Sequence, residues 1–272
     1  MVEKINLLFI GDVVGKPGIE IVEKSLPGLV EKYKANFIVI NAENADEGKG
    51  ISDEISDKFF SLGANILTSG NHIWDNWKSI PLLAKNDSIL RPLNYPTGNP
   101  GRGFKILDNI FGSSVAVIQI QGRSFMQMID CPFRAVDNAL KIIGDKTKTI
   151  IVDFHAETTA EKISMGWHLD GRVSAVIGTH THIQTADATI LPRGTAYITD
   201  VGMTGPYDSV VGMKKEIALK RIILQTAHKY EMATDDVKIA GVFVEIEQES
   251  GQAIRIEPFI IPKFIQSVYE GL

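Results

Sequence analysis

Short apolar runs recur along this 272-residue chain, and side chains with oxygen or nitrogen donors follow each of them. Ile5–Ile10 runs into Gly11-Asp12, Phe37–Ile40 into Asn41-Ala42-Glu43-Asn44, and Ile66-Leu67 into Ser69-Gly70-Asn71-His72. Thr149–Phe154 runs into His155-Ala156-Glu157, and Ala175-Val176-Ile177 into Gly178-Thr179-His180-Thr181-His182. Runs this short, bounded by turn residues, read as strands buried on both faces. Helical spacing fills the gaps between the first three. Ile19–Tyr33 carries it through Ile19, Val22, Leu26, Leu29 and Val30, with Pro27 inside. A second segment starts at a Ser52 cap, reaches Leu62 and is stopped by Gly63. Strands alternating with helices imply right-handed crossovers and a largely parallel sheet. Such a sheet lines up the C-terminal ends of its strands along one edge, where α/β proteins bind ligands.

The rest of the chain departs from simple alternation. Leu90–Gly103 is rich in Pro, Asn and Gly and reads as an ordered surface loop. Gly103–Leu107 and Val115–Gln121 suggest an antiparallel pair joined through Asp108–Ser114. Helices are predicted over Asp130–Ile143, with Pro132 near its start, Thr159–His168 and Lys214–Tyr230. Ala188–Thr199 holds two short strands around Pro192-Arg193-Gly194, and Ala240–Glu247 with Ala253–Phe259 forms a hairpin around Glu249-Ser250-Gly251. There is no repeat and no linker composition, so two sheets within a single 1–272 domain are expected.

Charge and cysteine usage narrow the function classes. A net charge of −5 provides no broad basic surface, so no stable nucleic-acid complex is expected, although a nucleotide substrate needs only a local site. The single cysteine, Cys131, excludes an internal disulfide framework, and it is read as inert. The expected location is the cytoplasm. The first apolar run has no small-residue cleavage site behind it and reads as a strand, and no stretch approaches membrane-spanning length, so no membrane partner is expected.

Each donor alone has an ordinary explanation. Asp12 and Asn71 suit turns, Glu43 a surface charge, His155 a core imidazole, and His180 with His182 a pair of hydrogen-bonded loop histidines. Five strand ends delivering donors to one edge favour a metal centre instead. In extended backbone His180 and His182 would point to the same side, and neutral imidazole is the commonest metal ligand. Two carboxylates, two asparagine carbonyls and three imidazoles exceed one tetrahedral site and suit two cations sharing a bridging carboxylate. Mixed nitrogen and oxygen donors without thiolate favour iron, manganese, zinc or cobalt. Two ions about 4 Å apart can bridge a hydroxide and hold two phosphoryl oxygens, which makes a Ser or Cys nucleophile unnecessary.

These motifs resemble the calcineurin-like metallophosphoesterase superfamily, whose pattern runs D-x-H, G-D-x-x-D, G-N-H-[DE], H, G-H-x-H. Gly70-Asn71-His72 and Gly178-Thr179-His180-Thr181-His182 keep the later motifs nearly intact. The first two depart: Val14 stands where a histidine is usual, and Glu43 where a bridging aspartate is usual. Those departures, with GDVVGKPG, NAENADEGKG, GNHIWD, DFHAE, GTHTHIQTAD and TDVGMTGP, are similar to the bacterial YmdB family over nearly the whole chain. The resemblance implies an α/β fold, a four-layer α/β/β/α sandwich of the metallo-dependent phosphatase type. It implies two divalent or trivalent transition-metal ions, iron first with manganese or zinc as alternatives. It implies phosphodiesterase activity on 2′,3′-cyclic nucleotides or related small phosphodiesters by attack of a metal-bridging hydroxide. Homo-oligomers are also implied.

By motif position, Asp12 and His182 would hold one metal, and Asn71, His155 and His180 the other. Glu43 would bridge, Asn44 would be a further ligand or close neighbour, and His72 would donate the proton to the leaving group. His72 could instead only orient a ligand through a hydrogen bond. Lower in rank, Arg91, Arg102 and Arg123 could grip phosphate or form surface ion pairs, and Trp74 could stack on a base or pack in the core. Thr204-Gly205-Pro206, after Asp200, could be a pocket wall or a turn, and His168 and His228 read as structural. A nucleotide-cofactor oxidoreductase is disfavoured because Gly11, Gly15 and Gly18 lack the G-x-G-x-x-G spacing. A regulatory or scaffold metalloprotein with little catalysis is the second reading.

Overall fold

The alternating apolar runs form two six-stranded sheets packed face to face. A computed structural model describes residues 4–110 and 112–264; residue 111 of the expected Asp108–Ser114 turn and the ends of the expected 1–272 domain lie outside them. In chain order the strands are β1 (Lys4–Ile10), β2 (Phe37–Asn41), β3 (Ile66–Thr68), β4 (Phe104–Ile110), β5 (Ser113–Gln121), β6 (Thr149–His155), β7 (Ala175–Thr179), β8 (Thr189–Ile190), β9 (Ala196–Ile198), β10 (Gly205–Pro206), β11 (Val237–Glu247) and β12 (Ala253–Ile261). The helices are α1 (Gly15–Tyr33), α2 (Asp53–Ser61), α3 (Ser79–Lys85), α4 (Pro132–Ile143), α5 (Thr159–Leu169) and α6 (Lys215–Leu224).

The first sheet has the order β10-β11-β1-β2-β3, with β12 also on β11, and the second β4-β5-β6-β7-β9-β8. Within the first, β1, β2 and β3 are parallel as expected, but the terminal hairpin adds β11 antiparallel to β1, so that sheet is mixed. In the second sheet β5, β6, β7 and β9 run parallel, with β4 and β8 antiparallel at its edges.

Every central strand is buried on both faces, which is why these segments read as unbroken apolar runs. Ile5, Leu7 and Phe9 of β1 meet Val115, Val117, Ile151 and Ile177 between the sheets. Leu8 and Ile10 point the other way, into a layer shared with Val22, Leu26 and Leu29 of α1, Phe59 of α2 and Leu82 of α3. On the far side, Ile118, Ile120, Val152 and Phe154 pack against Val136 and Ala139 of α4 and Met165 and Leu169 of α5. The result is the four-layer α/β/β/α sandwich.

Three elements differ from expectation. Gly178 does not end its strand; it lies inside β7, where a Cβ would come within 1.7 Å of the Thr199 carbonyl oxygen, so glycine is required by the close approach of the backbone beyond β9. The helix predicted over Lys214–Tyr230 stops at Leu224, with Gln225 in the left-handed conformation, and only Ala218 of it is buried. With no apolar face to dock, nothing carries it further. Ser52 precedes α2, but its side chain makes no capping hydrogen bond.

Candidate metal centre

The C-terminal ends of β1, β2, β6 and β7 meet where the two sheets face each other. Asp12 follows β1 in a loop whose Val14 N–H donates to the Thr204 carbonyl oxygen, while Thr204 N–H donates to the Asp12 carbonyl oxygen, both at 2.9 Å. Gly11 and Gly18 allow this contact: a Cβ there would lie 2.0 Å from the Gly202 carbonyl oxygen and 2.5 Å from that of Thr204. The Thr204-Gly205-Pro206 segment therefore holds the Asp12 loop in place.

Around His155 Nε2 lie Asn71 Oδ1 at 3.0 Å, His180 Nδ1 at 3.0 Å and Glu43 Oε1 at 3.1 Å. A donor atom from each of Glu43, His155 and His180 lies within 4.8 Å of the others, and the same holds for Asp12, Glu43 and His182. Glu43 belongs to both groups. Its Oε2 accepts the His72 N–H at 3.2 Å. Asn44 Nδ2 donates to the Gly48 carbonyl oxygen, while Asn44 Oδ1, Asp12 Oδ1 and Glu43 Oε1 are buried without a hydrogen-bond partner among the described residues.

Hydrogen bonds on the outer sides of the imidazoles decide where their lone pairs point. The Glu43 N–H donates to Asn41 Oδ1, which turns Asn41 Nδ2 toward Asp153 Oδ2 at 3.0 Å. The Thr179 hydroxyl donates to Asp153 Oδ1 at 2.7 Å, so its oxygen is left to accept from His155 Nδ1 at 2.9 Å. His180 Nε2 lies 2.9 Å from Glu157 Oε2, and His182 Nδ1 donates to the Val211 carbonyl oxygen at 3.1 Å. The remaining ring nitrogen of His155 thus presents its lone pair to the Glu43 and Asn71 oxygens and to His180 Nδ1. A buried cluster of acceptors needs positive charge among them.

The proton affinities express the same demand. Burial raises Asp12 to about 6, against the pull of His182 and His155. Burial also disfavours the Glu43 carboxylate, but His155, His72 and His180 outweigh it and bring its pKa down to about 2. Burial, with His155 beside it, lowers His180 to about 3 and keeps that imidazole neutral. For His155 burial is outweighed by Glu43, Asp12 and Asp153, so its pKa is raised. Without metal, protons supply the positive charge the cluster needs.

His180 and His182 do not converge through strand alternation. Both have positive φ, 102° and 65°, so they sit in a tight turn that sends one imidazole to each donor group. Side chains rarely adopt this conformation, which costs about 1–3 kcal/mol per residue. His72 lies in a 3₁₀ turn, Asn71–Trp74, with its Nδ1 2.8 Å from Asp75 Oδ2. Lys49 Nζ reaches the same oxygen at 3.0 Å. A cavity of about 560 Å³ opens here, with Glu43, His72, His180, His182, Arg221 and Tyr230 in its walls. That volume suits a small-molecule ligand.

Other candidates lie elsewhere. Arg91 is buried and donates to the Pro92 and Leu93 carbonyl oxygens, and Arg102 pairs with Asp87. Neither these nor Arg123 is among the residues lining the cavity. Trp74 packs against Tyr95, His168 binds Asp137, and His228 contacts Thr226. Asp75, Glu157 and Thr179 were not singled out from the sequence, although Asp75 stands three residues after His72, the spacing at which a helical turn brings side chains together.

A family model for YmdB-like proteins matches residues 8–259. The chain belongs to the YmdB-like family. A 2′,3′-cyclic-nucleotide 2′-phosphodiesterase of Bacillus subtilis is 44% identical over 94% of this chain and 97% of its own length. A putative phosphatase/phosphodiesterase of Mycoplasma pneumoniae is 32% identical over the whole of both chains. Among solved structures, a hypothetical protein from Thermus thermophilus superposes with a TM-score of 0.88 at 39% identity, covering 94% of this chain and 98% of that one. A novel phosphatase from Mycoplasma pneumoniae superposes with a TM-score of 0.90 at 32% identity, covering 96% and 94%. Among the described residues no helix is long and apolar enough to cross a membrane.

Proposed function

We propose that this protein is a metal-dependent phosphodiesterase acting on 2′,3′-cyclic nucleotides or closely related small phosphodiesters. The observation that carries the reading is the set of buried oxygens of Asp12, Glu43 and Asn44 without a hydrogen-bond partner among the described residues, with Asp12 and Glu43 grouped with the His155, His180 and His182 imidazoles. Asp12 and His182 would hold one transition-metal ion and Asn71, His155 and His180 the other, with Glu43 between them and Asn44 Oδ1 as a further donor. The donor set suits iron, manganese or zinc. When bound, the two ions supply Lewis acidity to the phosphoryl oxygens and acidify a water molecule.

The chain's own residues supply the rest. A ribose oxygen is a poor leaving group unless it gains a proton. Asp75 fixes the His72 ring by accepting from Nδ1, which leaves Nε2 to carry a proton to that oxygen. The Bacillus relative supports the cyclic-nucleotide class. The test is elemental analysis of the purified protein followed by assays on 2′,3′-cyclic AMP and bis-p-nitrophenyl phosphate, with and without chelator. Metal-loaded protein that turns over neither substrate overturns the proposal.

A further inference from the structure

The turn that carries His180 and His182 is tied to a buried ion pair. Thr181, between the two histidines, donates its N–H to Asp200 Oδ2 at 3.0 Å. The same oxygen accepts from the Lys162 ammonium at 2.7 Å. Lys162 also donates to the carbonyl oxygen of Thr179, the last residue of β7. Asp200 Oδ1 accepts the Gly202 N–H at 2.9 Å. Lys162 is 1% exposed and Asp200 fully buried. One ammonium and one carboxylate thus connect α5, the end of β7, the middle of the turn and the segment after β9.

We infer that Lys162 and Asp200 are positioning residues for the metal centre: their pair braces the turn in which His180 and His182, on either side of Thr181, hold positive φ. The inference rests on the metal-centre reading above. A buried ion pair is weak evidence for stability, because desolvation cancels most of its attraction, and neutral side chains of similar volume fill the space as well. Methionine offers no donor to the Thr179 carbonyl oxygen, and an amide in place of the Asp200 carboxylate accepts the Thr181 N–H more weakly. His180 and His182 serve different donor groups, so a loosened turn disturbs both. Metal–ligand distances tolerate only about 0.2 Å of error. Removing groups that orient ligands weakens metal binding about 10- to 100-fold.

The test is the charge-neutral double variant Lys162→Met/Asp200→Asn, compared with the parent for metal affinity by chelator competition. Melting of the metal-free forms and amide exchange at Thr181 are measured alongside. The expected result is an affinity loss of about 10-fold or more, faster exchange at Thr181, and melting temperatures that stay close together. Parental affinity in the variant overturns the inference, and so does a melting temperature that collapses in parallel with affinity. Should the variant not fold, the metal-free parent decides: a protected Thr181 amide supports the brace, and exchange at the rate of an open loop refutes it. A parent that binds no metal refutes the reading of the centre, and the inference with it, before any variant is compared.

Discussion

Gly70→Ala tests the centre most directly, because the new methyl group would enter the donor cluster. Gly70 has φ −156°, outside the left-handed region that demands glycine, so the main obstacle to a side chain is space. A Cβ there would lie 2.3 Å from Glu43 Oε2, 2.3 Å from His155 Nε2 and 2.4 Å from His155 Cδ2, whereas ordinary contact begins at 3.4 Å. Glu43 and His155 must therefore retreat by about 1 Å, several times the ~0.2 Å that metal–ligand distances tolerate. Because Glu43 belongs to both donor groups, both ions should be lost, and affinity should fall on the order of 100-fold or more. Overpacking costs about 1–3 kcal/mol, a drop of several degrees in melting that leaves the fold intact. Gly28→Ala is the control, since Gly28 is exposed on α1 with no heavy atom within 4 Å of its would-be Cβ. That variant should gain about 0.5–1 kcal/mol and keep its metal. Elemental analysis after dialysis, with melting curves, reads both. Gly70→Ala protein that retains parental metal and turnover would refute the assignment of Glu43 and His155 as ligands.

His72→Ala should lower kcat on 2′,3′-cyclic AMP about 100-fold or more while metal content stays parental; turnover of bis-p-nitrophenyl phosphate, whose leaving group needs no proton, should fall far less, and equal losses on both substrates would remove His72 as the acid. Asp75→Asn should cause a smaller loss on the same natural-type substrate and move the pH profile, since it weakens what fixes the His72 ring while touching none of the donor groups; Lys49→Ala, which removes the other partner of Asp75, is the control, and an unchanged profile in Asp75→Asn counts against the coupling. Metal-free protein should melt higher at pH 5 than at pH 7.5. Burial raises Asp12 to about 6 and Asp153 to about 7, and carboxylates raise His155, so the folded chain holds protons that the unfolded chain has released, and stability is lost as pH rises through these values. His180, lowered to about 3, works the other way over part of this window but is outweighed by Asp12, Asp153 and His155 together; Glu43 loses its contribution as pH falls from 4.5 toward 2, below the window, and bound metal should weaken the trend by taking the place of the protons on Asp12 and His155.

The strands of the sandwich were legible because burial on both faces leaves unbroken apolar runs such as Leu7–Ile10 and Ile150–Val152. The donors were legible because each follows such a run. Pairing partners were not: nothing in Val237–Glu247 says that it lies antiparallel to β1, since an apolar run does not encode direction. Nor does spacing reveal that His180 and His182 share a left-handed turn, because positive φ in a non-glycine residue is imposed by tertiary contacts such as Asp200. Asp153 and Thr179 were invisible for a related reason. Their roles depend on register across β6 and β7, where His155 pairs with Thr179 and Asp153 with Ile177. The helix after Lys214 shows the opposite effect: helical spacing continues past Leu224, but without a face to bury the helix itself does not.

The departure at Val14 becomes intelligible in the same terms. A histidine is usual there in the wider superfamily, yet Val14 is only 1% exposed. Its side chain packs so close to Gly205 and Gly212 that a Cβ on either glycine would come within 3.1 Å of it. The position is therefore occupied by packing under the 203–212 loop rather than turned toward the donors. That same loop contributes the Val211 carbonyl oxygen, which accepts the His182 Nδ1 proton and aims the other ring nitrogen. One candidate ligand is absent from this side of the site, and the loop that fills its place orients another. Glu43, the other departure, belongs to both donor groups. It stands just beyond β2 with one oxygen toward His155 and the other held by the His72 amide.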